Sequence, residues 1–247
     1  MRNRKATQLN CFSPPVMVAT VIIELSLAIY TIWRYKMNTI GRLVAVTLVM
    51  LAGFQVSEYF VCTGSAGHVP VWSRLGFAII TVLPPLGLHL LHVVADKPKR
   101  RLVALAYLSM AGFIATFLLI PHAFNNYQCN GNYVIFHLRA NLGGLYWYYY
   151  FGWLGISIGF GMRWANQLMS KGKSAIRQLQ AVRGLIIGWL VFVLPTAIIN
   201  VARPSTRDGL PSIMCGFAVF FALILGFYIL PRVADRKAAI PSNRVHK

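Results

Sequence analysis

Apolar and polar positions alternate on a coarse scale along this chain. Seven apolar runs, Pro15 to Trp33, Leu43 to Val61, Leu75 to Ala95, Leu102 to Pro121, Leu142 to Met162, Gly184 to Ala202 and Ile213 to Leu230, are separated by polar connections. Each is near the ~20 residues with which a helix crosses ~30 Å of hydrocarbon. The pattern predicts an all-α polytopic membrane protein. Residues 1–14 form an outer tail, 15–230 one bundle of seven transmembrane helices, and 231–247 a basic cytoplasmic tail.

The connections after the odd-numbered runs carry 17 of the 24 Lys and Arg residues: Arg34, Lys36 and Arg42; Lys97, Lys99, Arg100 and Arg101; Arg163, Lys171, Lys173, Arg177 and Arg183; Arg232, Arg236, Lys237, Arg244 and Lys247. Basic residues stay on the cytoplasmic side, so the amino terminus is expected outside and the carboxyl terminus inside, in the plasma membrane. The tail Met1-Arg2-Asn3-Arg4-Lys5 opposes translocation, but the first run is of full spanning length and is read as a helix that stays. Composition agrees: 57% hydrophobic and 12% charged residues cannot clothe a soluble domain of this size. The net charge of +19 sits between apolar runs rather than on one face. Anionic lipid headgroups at the cytoplasmic face are the expected partners, and nucleic acid is not.

One run is interrupted. Gln55, Glu58 and Cys62 fall on one helical face within Phe54 to Cys62. Polar groups at that depth either line a site or join helices by hydrogen bonds. Counting at 1.5 Å per residue puts Glu24 about 13 Å, Gln55 about 10 Å and Glu58 about 6 Å below the outer edge. Glu24 and Gln55 can then meet, and Glu58 reaches Arg74. An ionised carboxylate near mid-bilayer costs about 2.5 to 3.5 kcal/mol on insertion scales, so Glu24 is expected neutral or paired. Glu24, Gln55, Glu58 and Arg74 are therefore the ligand-binding candidates, around an outward-opening polar cavity between the first, second, third and seventh runs.

Other residues shape the bundle. Pro84-Pro85 should kink the third run and free carbonyls that need new donors. Gly155 and Gly159 permit close helix contact in the fifth run, whose Tyr146 to Trp153 stretch reads as an interfacial aromatic belt. Asn166 to Arg183 is expected as a basic helix along the cytoplasmic surface. Cys11, Cys62, Cys129 and Cys215 all fall on the proposed outer side, where disulfides are plausible with three connectivities open. Familiar catalytic motifs are missing, and His89 with His92 offers only two ligands, so no catalytic residue, metal or cofactor is assigned.

The segments Cys11-Phe12-Ser13-Pro14, Phe54-Gln55-Val56-Ser57-Glu58 and Ser212 to Ala218 resemble landmarks of an uncharacterised, mainly prokaryotic family of seven-helix membrane proteins. The resemblance implies a seven-helix fold and a Cys11 to Cys215 link, and no activity. Cys62 with Cys129 would then tie the long outer loop to the second run. Leu83-Pro84-Pro85-Leu86 and Arg177-Gln178 are more weakly similar to the seven-helix sensor module of bacterial histidine kinases. A chain of that kind without a kinase would signal through a cytoplasmic partner. The leading expectation is a sensor or binding protein, with a small-solute or ion transporter or channel as the alternative. A membrane-embedded enzyme using Glu24 or Glu58 ranks third.

Overall fold

The computed structural model describes residues 14–63, 69–97, 100–120, 123–130 and 133–235. Eight helices carry the fold: α1 (Pro14–Arg34), α2 (Thr39–Thr63), α3 (Val69–Thr81), α4 (Leu83–Val94), α5 (Arg100–Leu119), α6 (Ala140–Met169), α7 (Ile176–Ala202) and α8 (Leu210–Leu223). The last continues through a π-helical turn, Ile224–Ile229, and a final turn, Leu230–Val233. Between α5 and α6 an antiparallel hairpin pairs β1 (Phe124–Asn130) with β2 (Tyr133–Leu138).

Six helical stretches among the described residues are long and apolar enough to cross a membrane: Pro15–Arg34, Thr39–Thr63, Pro70–Val94, Arg101–Leu119, Gly172–Ala202 and Leu210–Val233. They coincide with six of the seven predicted runs. The fifth run lies in α6, whose 30 residues have the length, but whose tyrosines and glycines dilute its apolar character. The protein is thus a helical, apolar integral membrane bundle with six such stretches and α6.

Local chemistry explains the joints. Asn38 caps α2 by accepting the Gly41 N–H at 3.0 Å, which turns α1 tightly into α2. Asp96 takes a left-handed conformation at φ 51°, and the Lys97 N–H returns to the His92 carbonyl at 3.0 Å, closing α4. Gln178 in α7 donates to the Val94 carbonyl at 2.9 Å, binding the same end to the next hairpin. Asn166 to Arg183 is accordingly no surface helix. It ends α6, turns through Gly172 at φ +68°, and begins α7.

Close contact falls elsewhere than expected. A Cβ at Gly155 or Gly159 would meet nothing within 4 Å, whereas one at Gly188 would lie 2.5 Å from the Phe221 ring and one at Gly184 2.8 Å from Tyr228. This small-xxx-small pair lets α7 lie against α8 and its π turn. The Lys36 N–H donates to the Asp235 carbonyl at 2.8 Å, joining the chain after α1 to the end of the last helix.

Candidate functional site

Glu24 projects from the middle of α1 and Glu58 from the C-terminal half of α2, and both side chains are fully withdrawn from the surface at 0% and 1% exposure. The first turns of α8 bring Ser212 and Cys215 to the same place, both buried. The Ser212 hydroxyl donates to the Glu58 carboxyl and accepts the Val134 N–H of β2 at 3.2 Å. Glu24 and Glu58 interact electrostatically with each other and with Cys215. Among the described residues neither oxygen of Glu24 and only one of Glu58 meets a hydrogen-bond partner, so Glu24 Oε1, Glu24 Oε2 and Glu58 Oε1 are buried acceptors without donors there.

Two expected contacts are absent. Glu24 takes no hydrogen bond from Gln55, although Gln55 is buried on the same helix as Glu58. Arg74 does not pair with Glu58, whose hydrogen-bond partner is Ser212: the Arg74 guanidinium donates to the Leu118 carbonyl of α5 at 3.4 Å. Helix direction explains the miss, because depth counting fixes height and leaves rotation about the axis open.

The Pro84-Pro85 break behaves as the sequence suggests, with partners the sequence did not name. α3 ends at Thr81 and α4 begins at Leu83. Pro85 cannot donate to the Thr81 carbonyl, and the Tyr149 hydroxyl does so instead at 2.7 Å. Thr81 Oγ1 already donates to the Phe77 carbonyl at 2.6 Å, so the Tyr146 hydroxyl, 3.3 Å away, donates to Thr81 Oγ1. Tyr146, Tyr149, Tyr150 and Trp153 are therefore buried in the bundle, and only Tyr148, 82% exposed, faces outward as a belt residue would. Around them Phe77 packs on Phe117, Phe124, Phe136 and Tyr146 at centroid separations of 5.1 to 5.5 Å.

A cavity of about 30 Å³ lies between α2, α4, α6, α7 and α8. Its walls include Pro84, Gly87, Tyr150, Trp189, Phe221 and Cys215. A water needs roughly 10–15 Å³ on this measure, so the space suits one or two waters rather than an organic ligand. This cavity is mostly apolar, and Glu24, Gln55, Glu58 and Arg74 do not line it. Cys215 alone belongs both to its wall and to the carboxyl cluster.

The cysteines divide. Cys215 is a free, buried thiol, so the expected Cys11 to Cys215 link is not formed; its side chain points into the packed core. Cys11 lies outside the described residues. Cys62, at the C-terminal end of α2, is in the disulfide-bonded form, and the Cys129 side chain lies outside what is described. His89 and His92 are engaged locally, His89 Nδ1 with the Tyr107 hydroxyl at 3.1 Å and His92 Nδ1 with the Leu88 carbonyl at 2.8 Å. No group of three or more His, Cys, Asp or Glu able to hold a metal occurs among the described residues.

Sequence reading missed Ser212, Thr81 and the inward role of Tyr146 and Tyr149. The tyrosines carried a signal: positions 146, 149, 150 and 153 share one face at helical spacing, while 148 lies opposite. Ser212 carried none beyond its place before Cys215. Set against known protein families, characterised proteins and solved structures, the chain matches none.

Proposed function

We propose that this chain is a seven-span membrane protein of the plasma membrane, amino terminus outside, that acts as a sensor or binding protein through Glu24, Glu58, Ser212 and Cys215. The observation that carries the reading is the pair of carboxyls buried in the bundle with acceptors unfilled. Such groups are costly in hydrocarbon and tend to mark binding sites or ion paths. Ser212 joins Glu58 to β2, so a change at the carboxyls reaches the hairpin through one hydroxyl. α6 supplies the seventh crossing, since 30 residues at 1.5 Å each exceed the bilayer core. In this topology the hairpin is external, and Arg34, Lys97, Arg163, Lys171, Arg177 and Arg232 are presented to anionic lipid and to a cytoplasmic signalling partner.

A transporter or channel for a small solute or ion is the second reading. It is favoured by the interruption at Thr81–Leu83 and the π-helical turn Ile224–Ile229, since broken helices border many ion sites. An enzyme is disfavoured because His89 and His92 are held by Tyr107 and Leu88, away from the carboxyls. The test is thermal unfolding of detergent-solubilised protein against a panel of salts, amino acids and sugars. At least one class should raise the melting temperature of the wild type and not of Glu58→Gln. If all of them act alike on both proteins, the binding reading fails.

A further inference from the structure

Burial without donors leaves the carboxyl cluster incomplete in either protonation state. An ionised Glu24 has two uncompensated acceptor oxygens. A protonated Glu24 has an O–H without an acceptor, because neither of its oxygens has a hydrogen-bond partner among the described residues. Glu58 has Ser212 on one oxygen and nothing on the other. No Lys, Arg or His among the described residues hydrogen-bonds either carboxyl. What the cluster lacks among the described residues is therefore a positive group or a donor.

Its chemistry can be narrowed. The ligating atoms on offer are carboxylate and hydroxyl oxygens, which suit hard cations. Cys215 is a buried thiol beside them, no cluster of three metal-binding side chains forms among the described residues, and a divalent ion would require both buried carboxyls to ionise together, which favours a monovalent ion that shares the site with one proton. Two carboxyls holding one proton and one monovalent cation are neutral together, the condition under which a cluster is tolerated at this depth.

We propose that Glu24, Glu58 and Ser212 form a site for a small monovalent cation of the sodium type between α1, α2 and α8. This rests on the binding reading above and names its ligand class. The close approach of Gly226 in the π turn to Leu27, where an added Cβ would lie 2.9 Å from the leucine, seats α1 against the last helix one turn below Glu24. Cation occupancy thereby bears on three helices at once, and through Ser212 on Val134 of the hairpin.

The experiment compares unfolding of the whole detergent-solubilised protein in sodium, lithium, potassium and choline chlorides at equal ionic strength. Sodium or lithium should raise the melting temperature by several degrees in a saturable way, and choline should not. Glu24→Gln and Glu58→Gln should each lose that selective rise while unfolding cooperatively. Equal effects of all four salts on the wild type overturn the proposal, whether or not the variants fold. Binding of radioactive sodium to the wild type, displaced by unlabelled sodium and not by choline, is the direct measurement, and its absence is equally fatal. If a sugar or amino acid shifts the wild type but not Glu58→Gln while cations do nothing, the cation site falls and the binding reading stands.

Discussion

Two regions of the bundle hold polar groups deep among apolar side chains, and they treat them in opposite ways. At the Thr81–Leu83 break the freed Thr81 carbonyl is met by Tyr149 and the Thr81 hydroxyl by Tyr146, so the interruption is closed from within the chain. At Glu24 and Glu58 three acceptor oxygens are left open. A buried network that satisfies itself rigidifies the fold, whereas one that stays open is unstable unless something else completes it. The first is architecture and the second is a candidate for function.

The largest expected effect tests the closed region. Tyr146 is fully buried and packs on Phe77, Phe113 and Phe117. Tyr146→Ala should lower stability by about 3–5 kcal/mol, as loss of a buried aromatic does. Chemical unfolding in mixed micelles would measure it. A loss below about 1 kcal/mol would mean that α6 does not pack here.

Next come two swaps expected to move stability in opposite directions. Tyr149→Phe removes the donor from the Thr81 carbonyl and should cost about 1–3 kcal/mol, the penalty of a buried acceptor left unmet. Glu24→Leu removes acceptors that are already unmet and should raise stability, by about 1–3 kcal/mol in choline on the same reasoning. In sodium the gain should shrink, because the wild type is then stabilised by its ligand. A loss of stability for Glu24→Leu in choline would make the carboxyl structural and erase the contrast between the regions.

How far the two regions were legible differs for physical reasons. The Pro84-Pro85 break was readable because proline acts on its own backbone, without reference to neighbours. Glu24 and Glu58 stood out because carboxyls are rare in apolar runs. Their partners were not readable: whether Glu58 meets Arg74 or Ser212 depends on helix rotation, which the heights of residues do not fix. Helix two has apolar residues all round, so no stripe of its own sets that angle. The two strands of seven and six residues are hidden in the sequence, because the Asn- and Gly-rich composition between Phe124 and Tyr133 has the character of a loop. Gly155 and Gly159 have the same spacing as Gly184 and Gly188, and only the second pair is in close contact, since spacing identifies the motif but not which copy is used.

The smallest expected effect joins the open region to the hairpin. Ser212 is held from two directions, donating to Glu58 and accepting the Val134 N–H at 3.2 Å. Ser212→Ala removes one hydroxyl and little volume, so global stability should fall by only about 0.5–1.5 kcal/mol, the net value of a typical hydrogen bond. The local consequence should be larger than the global one. Val134 is fully buried in β2, and losing its acceptor should speed its amide hydrogen exchange about tenfold, as a local change near 1.4 kcal/mol implies. Glu58 would lose its one protein donor at the same time, and the sodium-selective rise in melting temperature should weaken without vanishing, because both carboxyls remain. Should Val134 exchange and the sodium response both be unchanged, Ser212 is a packing residue and the hairpin is uncoupled from the carboxyls. If exchange alone quickens, the hydroxyl anchors the hairpin and the cation responds to Glu24 and Glu58 alone.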